Sequence, residues 1–381
     1  MNTTVAHVPE EFSSFIEALG YLIDPRDPRG KRHGLVFIVA AVVLAVLSGR
    51  SRVSSIHRFI RNRLVWLREI TGQGQAQAIS RAHLPRLLAR LDWAALNALI
   101  ECHFGVRIAC NDNQDWVAID GKVLRGAKEK QALVLAVSHQ RRTVLAQMPM
   151  KGHKSSEIAV VRDLLKDSAL EGQKVTLDAH HCNPKTTAQI HQAGGEYVIQ
   201  VKQNQPTLLA YCQHLAASAQ ARAGNQVQTK DHGRHTTRAG QGFAINGGAL
   251  APRWADSGVR TLVTVERQTY TPATGKTSLE TAYYISNRAL GKTPNAHLQE
   301  LTAAIRQHWH VESDNWIRDV TFNEDHVKTA SSNQGQIMGC LRGLAIRLLR
   351  TVNVDNFQEA LENFTDCPNM FQRFLERVKF L

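Results

Sequence analysis

Trp309-His310-Val311-Glu312-Ser313-Asp314-Asn315-Trp316-Ile317-Arg318-Asp319 is the stretch around which the chain is organised. Taken with the residues before it, Leu298, Leu301, Ile305, Trp309, Glu312 and Trp316 recur at spacings of three and four, which predicts a helix with these side chains on one face. Glu312 then lies on a buried stripe. An unpaired carboxylate there would cost several kcal/mol, roughly, because burial strips its hydration, so the reading requires a partner such as a metal, an Arg or a Lys.

Two aspartates far upstream fit the same chemistry. Trp116-Val117-Ala118-Ile119 reads as a buried strand ending on Asp120, and Lys174 to Leu177 as another ending on Asp178. Either acid alone reads most simply as a turn or cap residue. Converging with Glu312 they would repel one another unless a divalent cation joined them, and hard oxygen ligands suit Mg²⁺ or Mn²⁺. A pair of such ions clamps an in-line displacement at phosphorus, one at the attacking water or 3′-hydroxyl and one at the leaving oxygen. Lys122, Arg125, Lys154, Lys185 and Lys202 lie close by in sequence, as phosphate contacts or as solvated bystanders.

Around these acids the texture changes twice. Residues 1–110 read as all-helical, with Pro9-Glu10-Glu11-Phe12 opening one helix, an apolar run from Val36 to Leu47, and His83 to Phe104 as one amphipathic helix. The apolar run is too short to span a bilayer and reads as a buried core helix. Arg50, Arg52, His57, Arg58, Arg61, Arg63 and Arg68 crowd this region, as a DNA-facing set or a solvated face. From Asp115 the order is strand, strand, strand, helix, strand, helix, strand, with Leu133 to Ser138, Thr143 to Met148 and Tyr197 to Val201 as further strands. A helix runs from Ile158 to about Leu170, with Ser155-Ser156-Glu157 as its cap.

An interruption over 203–287 follows. It opens on the helix-compatible Pro206 to Gln226 and closes on the β-rich Val259 to Tyr270 and Ser278 to Ser286. Within it, Asp231-His232-Gly233-Arg234-His235-Thr236-Thr237-Arg238 is basic and Gly-turned, a phosphate-gripping loop or a plain surface hairpin. Beyond Asp325 the chain returns to helix, with Ile337, Leu341, Leu344, Ala345 and Leu348 as its apolar stripe.

Composition narrows the partners. The 381 residues are 43% hydrophobic, ample for a packed core, and 46 Lys+Arg against 33 Asp+Glu leave a formal net charge of +13. That surplus favours a polyanion such as DNA, or serves only to keep a basic protein soluble. Six scattered cysteines without C-x-x-C spacing indicate neither a zinc site nor a disulfide framework and fit a reducing cytosol. Met1 to Ser14 has no secretory pattern. There is no G-x-S-x-G and no Gly-rich phosphate loop, which removes support for serine-nucleophile and nucleotide-binding classes.

Several stretches carry a family likeness: Ala118-Ile119-Asp120-Gly121-Lys122-Val123-Leu124-Arg125, Lys154-Ser155-Ser156-Glu157-Ile158, Thr176-Leu177-Asp178-Ala179, Lys202-Gln203-Asn204-Gln205, Tyr283-Tyr284-Ile285-Ser286, Arg306-Gln307-His308-Trp309-His310-Val311-Glu312 and Asp319-Val320-Thr321-Phe322-Asn323-Glu324-Asp325. In their order the chain resembles the ISAs1-type insertion-sequence transposases and H-repeat-associated proteins, bacterial transposases with an Asp-Asp-Glu triad. The resemblance implies an α/β fold: an RNase H-like catalytic core with a β-rich insertion subdomain, flanked by helical N-terminal and C-terminal regions. The expected divisions are a DNA-end-binding region over 1–110, the first part of the core over 111–202, the insertion over 203–287, the catalytic-Glu helix over 288–330 and a helical region over 331–381.

It further implies Asp120, Asp178 and Glu312 as catalytic and metal-binding residues, with Mg²⁺ or Mn²⁺ as cofactor. Lys122, Arg125, Lys154, Lys185, Lys202, Arg234, Arg238, Arg306 and His308 would contact DNA. Hydrolysis at the element's terminal repeats would be followed by 3′-hydroxyl strand transfer into target DNA, by a homodimer on paired ends. A cytoplasmic, nucleoid-associated location and no membrane follow. Related sequences often carry Arg four residues before the Glu and Lys seven after it, where this chain has His308 and Asp319. The alternatives are an inactive or domesticated DNA-binding descendant and a metal-dependent nuclease without strand transfer.

Overall fold

A computed structural model of the chain describes residues 12–104, 115–124, 131–150, 157–167, 172–231, 233–329 and 331–381. The N-terminal region is helical: α1 (Phe15–Leu19), α2 (Leu35–Leu47), α3 (Val53–Asn62), α4 (Leu64–Ile70), α5 (His83–Leu88) and α6 (Trp93–His103). The expected single helix from His83 to Phe104 divides because Asp92 caps a new start, its Oδ1 accepting from the Ala95 N–H at 3.1 Å. The helix opening expected at Pro9 to Glu11 lies outside the described residues. Helix α2 is apolar on all sides and is buried over nearly its whole length, as a helix without a polar face must be. Among the described residues no helix is long and apolar enough to cross a membrane.

The strands follow as β1 (Trp116–Leu124), β2 (Gln131–Ser138) and β3 (Val144–Pro149). Then come α7 (Glu157–Asp167), β4 (Lys174–Leu177), α8 (Pro184–Gln192), β5 (Glu196–Val201) and α9 (Pro206–Ser218). Next are β6 (Ala223–Asp231), β7 (Arg234–Ala244), β8 (Thr261–Thr271) and β9 (Lys276–Ser286). All nine form one sheet in the order β3-β2-β1-β4-β5-β9-β8-β7-β6. Strands β1, β4 and β5 are parallel neighbours, and their continuous apolar runs fit a sheet covered on both faces. Strand β9 pairs with β5 on one side and β8 on the other, so the interruption extends the same sheet. The Asp231 to Arg238 segment is a hairpin joining β6 and β7, with His232 outside the described residues.

The chain closes with α10 (Pro294–Gln307), α11 (Trp309–Val320), α12 (Ser332–Thr351), α13 (Phe357–Asp366) and α14 (Pro368–Arg377). Helix α12 shares one apolar core with the N-terminal helices and with α13 and α14, so the two ends of the chain pack together. Where α11 meets α12 the contact is ionic. Arg318 is fully buried, and a Cβ on Gly343 of α12 would stand 2.7 Å from its guanidinium, so the glycine makes room for it. Arg318 donates to the Gly339 carbonyl at 3.0 Å, and Glu324 lies 3.8 Å from Arg318 and 3.1 Å from Arg342.

The sequence reading of α10 and α11 as one stripe needs correction. Leu298, Leu301 and Ile305 are buried, but the helix breaks at His308, and α11 instead buries Val311, Asp314 and Arg318. Trp309 and Trp316 are 57% and 61% exposed, and Glu312 stands on that open face. The rotation has a physical cause: Val311 packs on Ala118, Leu133, Leu135 and Val137 of the sheet, while Asp314 pairs with Arg350 of α12.

Removing Glu324 would leave the Arg318 and Arg342 guanidiniums buried and facing each other. Glu324→Ala is therefore expected to cost roughly 3–5 kcal/mol in urea denaturation. Glu280→Ala, which breaks the exposed Arg267–Glu280 pair, should cost less than about 1 kcal/mol.

Candidate active site

The pairing of β1 with β4 brings the two aspartates together. Their last parallel register pair is Ile119 with Leu177, so Asp120 and Asp178 are the next residue on each strand. Asp120 does not end β1, as the sequence reading had it, because pairing with β2 carries the strand on to Leu124. Asp178 does leave β4, and it caps the turn Ala179–His181, its Oδ1 accepting from the His180 N–H at 2.9 Å and the His181 N–H at 3.4 Å. The cap and the site position therefore belong to one residue.

Like charge dominates the electrostatics. Burial, then the charges of Asp178 and Glu157, push the Asp120 carboxyl up to about 6. Glu312 is also raised, first by burial and then by Asp178, while Lys202 opposes the shift. The helix carrying Glu312 is tied to β1 at two points. Asn315 donates to Asp120 Oδ2 at 3.3 Å, and Lys122 Nζ lies 2.6 Å from Asp319 Oδ1. Among the described residues no three His, Cys, Asp or Glu side chains close around one point as a metal cage would. The donor set is nevertheless of hard oxygens whose mutual repulsion a divalent cation would relieve.

The expected DNA contacts separate into three groups. Lys122 is only 5% exposed and is held by Asp319, and His308 is partly buried with its Nδ1 2.9 Å from Thr176 Oγ1, so neither is presented to a phosphate. Burial takes the His308 imidazole down to about 4, which leaves it neutral. Thr176 also meets His139 Nε2 at 3.0 Å, so its hydroxyl joins two histidines beneath the aspartates. Lys185, Lys202, Arg234 and Arg306 are exposed. Arg238, half-buried on β7, lies near enough to Arg306 and Arg267 that their charges, after burial, lower its pKa. Arg125 and Lys154 lie outside the described residues.

Three site residues escaped the sequence reading of roles. Glu157 begins α7 with its Oε1 2.8 Å from the Nε2 of fully buried His181, and Asn315 reaches Asp120 as above. The one local signal was Gly121, a glycine inside a strand, which marks a close approach by another group. A Cβ there would stand 2.3–2.6 Å from the Glu157 carboxylate atoms.

Comparison with known proteins agrees along most of the chain. Residues 16–104 match a family described as DDE_Tnp_1-associated, and residues 112–348 match the transposase DDE domain. YncI of Escherichia coli O157:H7 is 26% identical over 359 residues, covering 88% of this chain and 87% of that protein. The H repeat-associated YhhI of Escherichia coli K12 is 25% identical over 356 residues, covering 89% and 91%. Both carry the word transposase in their names. A protein from the dhlA 3′ region of Xanthobacter autotrophicus is 30% identical over 254 residues, covering 63% of this chain and 84% of its own. Since the DDE match runs from ahead of β1 into α12 and takes in all three acids, the chain belongs to the DDE transposase family.

Proposed function

We propose that the protein is the transposase of an insertion sequence, and that Asp120, Asp178 and Glu312 are its catalytic carboxylates. The observation that carries this reading is the register pair Ile119 with Leu177, beyond which the aspartates adjoin, with Glu312 within reach of the Asp178 charge. The order β3-β2-β1-β4-β5, with β1 antiparallel to β2 and parallel to β4, supports an RNase H-like core. When bound, Mg²⁺ or Mn²⁺ supplies activation of the attacking water or 3′-hydroxyl and stabilisation of the leaving oxygen. Asp120, Asp178 and Glu312 would hold it. Asn315 orients Asp120, and the backbone N–H groups after Asp178 fix its carboxylate.

Element-end and target DNA would lie along the exposed cations Lys185, Lys202, Arg234 and Arg306, with Arg238 beside them and Arg125 and Lys154 close in sequence. Trp309 and Trp316, about one turn either side of Glu312, offer stacking faces to bases. The N-terminal helices, with Arg52, Arg58 and Arg61 exposed on or next to α3, would bind the element ends, and a homodimer would pair them. Arg63 and Arg68 have structural duties instead, donating to the Thr365 carbonyl at 3.1 Å and the Ala76 carbonyl at 2.6 Å.

The assay is strand cleavage and joining on element-end DNA with Mg²⁺. Asp120→Ala, Asp178→Ala and Glu312→Ala should each lower cleavage roughly a hundredfold or more. Activity equal to wild type in these variants would sink the assignment. Salt-sensitive DNA binding without cleavage in the wild type would identify an inactive descendant, and cleavage without joined products a nuclease.

Charge repulsion gives a second check, read on EDTA-treated protein. A carboxyl raised in the folded state favours the protonated form, so its folded-state penalty is present above about pH 6 and disappears as pH falls through about 4. Asp120→Asn should therefore stabilise the metal-free protein at pH 7–8 by on the order of 1–3 kcal/mol and give no gain below about pH 4. DNA affinity against salt gives a third. Arg306→Ala should reduce the slope of log K on log salt by about one, whereas Lys122→Ala, at a buried pair, should leave that slope unchanged.

A further inference from the structure

Glu157 occupies a place that a helix-opening acid does not need. Such a residue gains from the helix dipole while its carboxylate stays in solvent. Here the carboxylate turns into the sheet and makes contacts in two directions. Towards β1 it rests on Gly121, where a Cβ would stand 2.3 Å from its Cδ. Gly121 lacks a positive φ, so what the glycine supplies is space. Towards β4 the Glu157 Oε1 is 2.8 Å from His181 Nε2. His181 is fully buried, donates its backbone N–H to Asp178 Oδ1 at 3.4 Å, and holds its ring 3.9 Å from the same oxygen.

These contacts form a bridge from the residue after Asp120 to the cap of Asp178. The bridge brings a further negative charge to bear on Asp120, which packing alone would not call for. Resting on the reading of Asp120 and Asp178 as catalytic carboxylates, we infer that Glu157 is a positioning residue that acts through His181 to hold Asp178 at its working distance from Asp120. Gly121 is the other half of the device, because it gives the carboxylate room.

The test measures Mg²⁺-dependent strand cleavage by full-length protein, with the melting temperature recorded for every variant. Glu157→Ala should lower cleavage roughly tenfold to a hundredfold and raise the Mg²⁺ concentration for half-maximal rate about tenfold. Glu157→Gln, whose amide oxygen still accepts from His181, should recover to within about threefold of wild type. Gly121→Ala pushes the carboxylate aside and should lose as much as Glu157→Ala, while the double variant loses no more than either single one. Wild-type rate and Mg²⁺ dependence in Glu157→Ala would overturn the inference, as would a Gln variant no better than Ala or additive losses in the double variant. If Glu157→Ala unfolds, the Gln and Gly121→Ala variants decide in its place. Asp120→Ala separates the two levels: if it cleaves like wild type the catalytic reading fails, and if it is inactive while Glu157→Ala is normal only the positioning role fails.

Discussion

The register of β1 against β4 is the constraint on which the site depends. Val117 and Ile119 of β1 pack with Val175 and Leu177 of β4 in one apolar layer while Ala118 packs with Val311 in another, so sliding one strand by a residue would exchange side chains fitted to two different layers. Hydrophobic packing therefore sets where the two aspartates stand. Parallel pairing ends at Ile119 and Leu177, and the next residues face a level at which each feels the other's charge. Repulsion that would separate two mobile carboxylates is resisted by a buried sheet.

The third acid depends on a different kind of contact. Apolar packing through Val311 brings α11 onto the sheet but is weakly directional; the ion pairs fix its rotation. Asp314 to Arg350, Arg318 between α11 and α12, and Lys122 to Asp319 each require one side of the helix to face one neighbour. With those three satisfied, Glu312 is left on the open side. The positions four residues before Glu312 and seven after it are used inwardly, His308 on Thr176 and Asp319 on Lys122.

What the sequence made legible was local. The run Trp116 to Ile119 and the all-round apolar α2 each announce themselves by pattern, and the structure has both. Periodicity showed which residues of α11 share a face but not which face turns inward, because the break at His308 is held by a hydroxyl on β4, far away in sequence. Of β6 and β7 the sequence offered only the hairpin at Asp231 to Arg238, because much of β6 is exposed, and its Gln, Thr and Lys residues show no alternation of apolar and polar. Lys122 looked like a free cation because nothing near it in sequence reveals Asp319. Glu157 looked like a cap because its two contacts come from β1 and from the turn after β4.

The insertion bears on the site through the continuity of the sheet. Strand β9 pairs with β5, whose end leads to Lys202, and with β8, which carries Arg267 beside Arg238 of β7. Helix α10 packs on β8 by Leu298 and Leu301 against Val263, and it carries Arg306 towards Arg238 before the chain turns into α11. One hydrogen-bonded frame thus holds two clusters of like charge, carboxylates at one place and guanidiniums at another. On the proposed function, a phosphodiester strand with its divalent cation relieves both at once, since the anion answers the arginines and the cation answers the acids. Each then lowers the cost of binding the other, so DNA and metal are expected to bind as linked partners rather than independently.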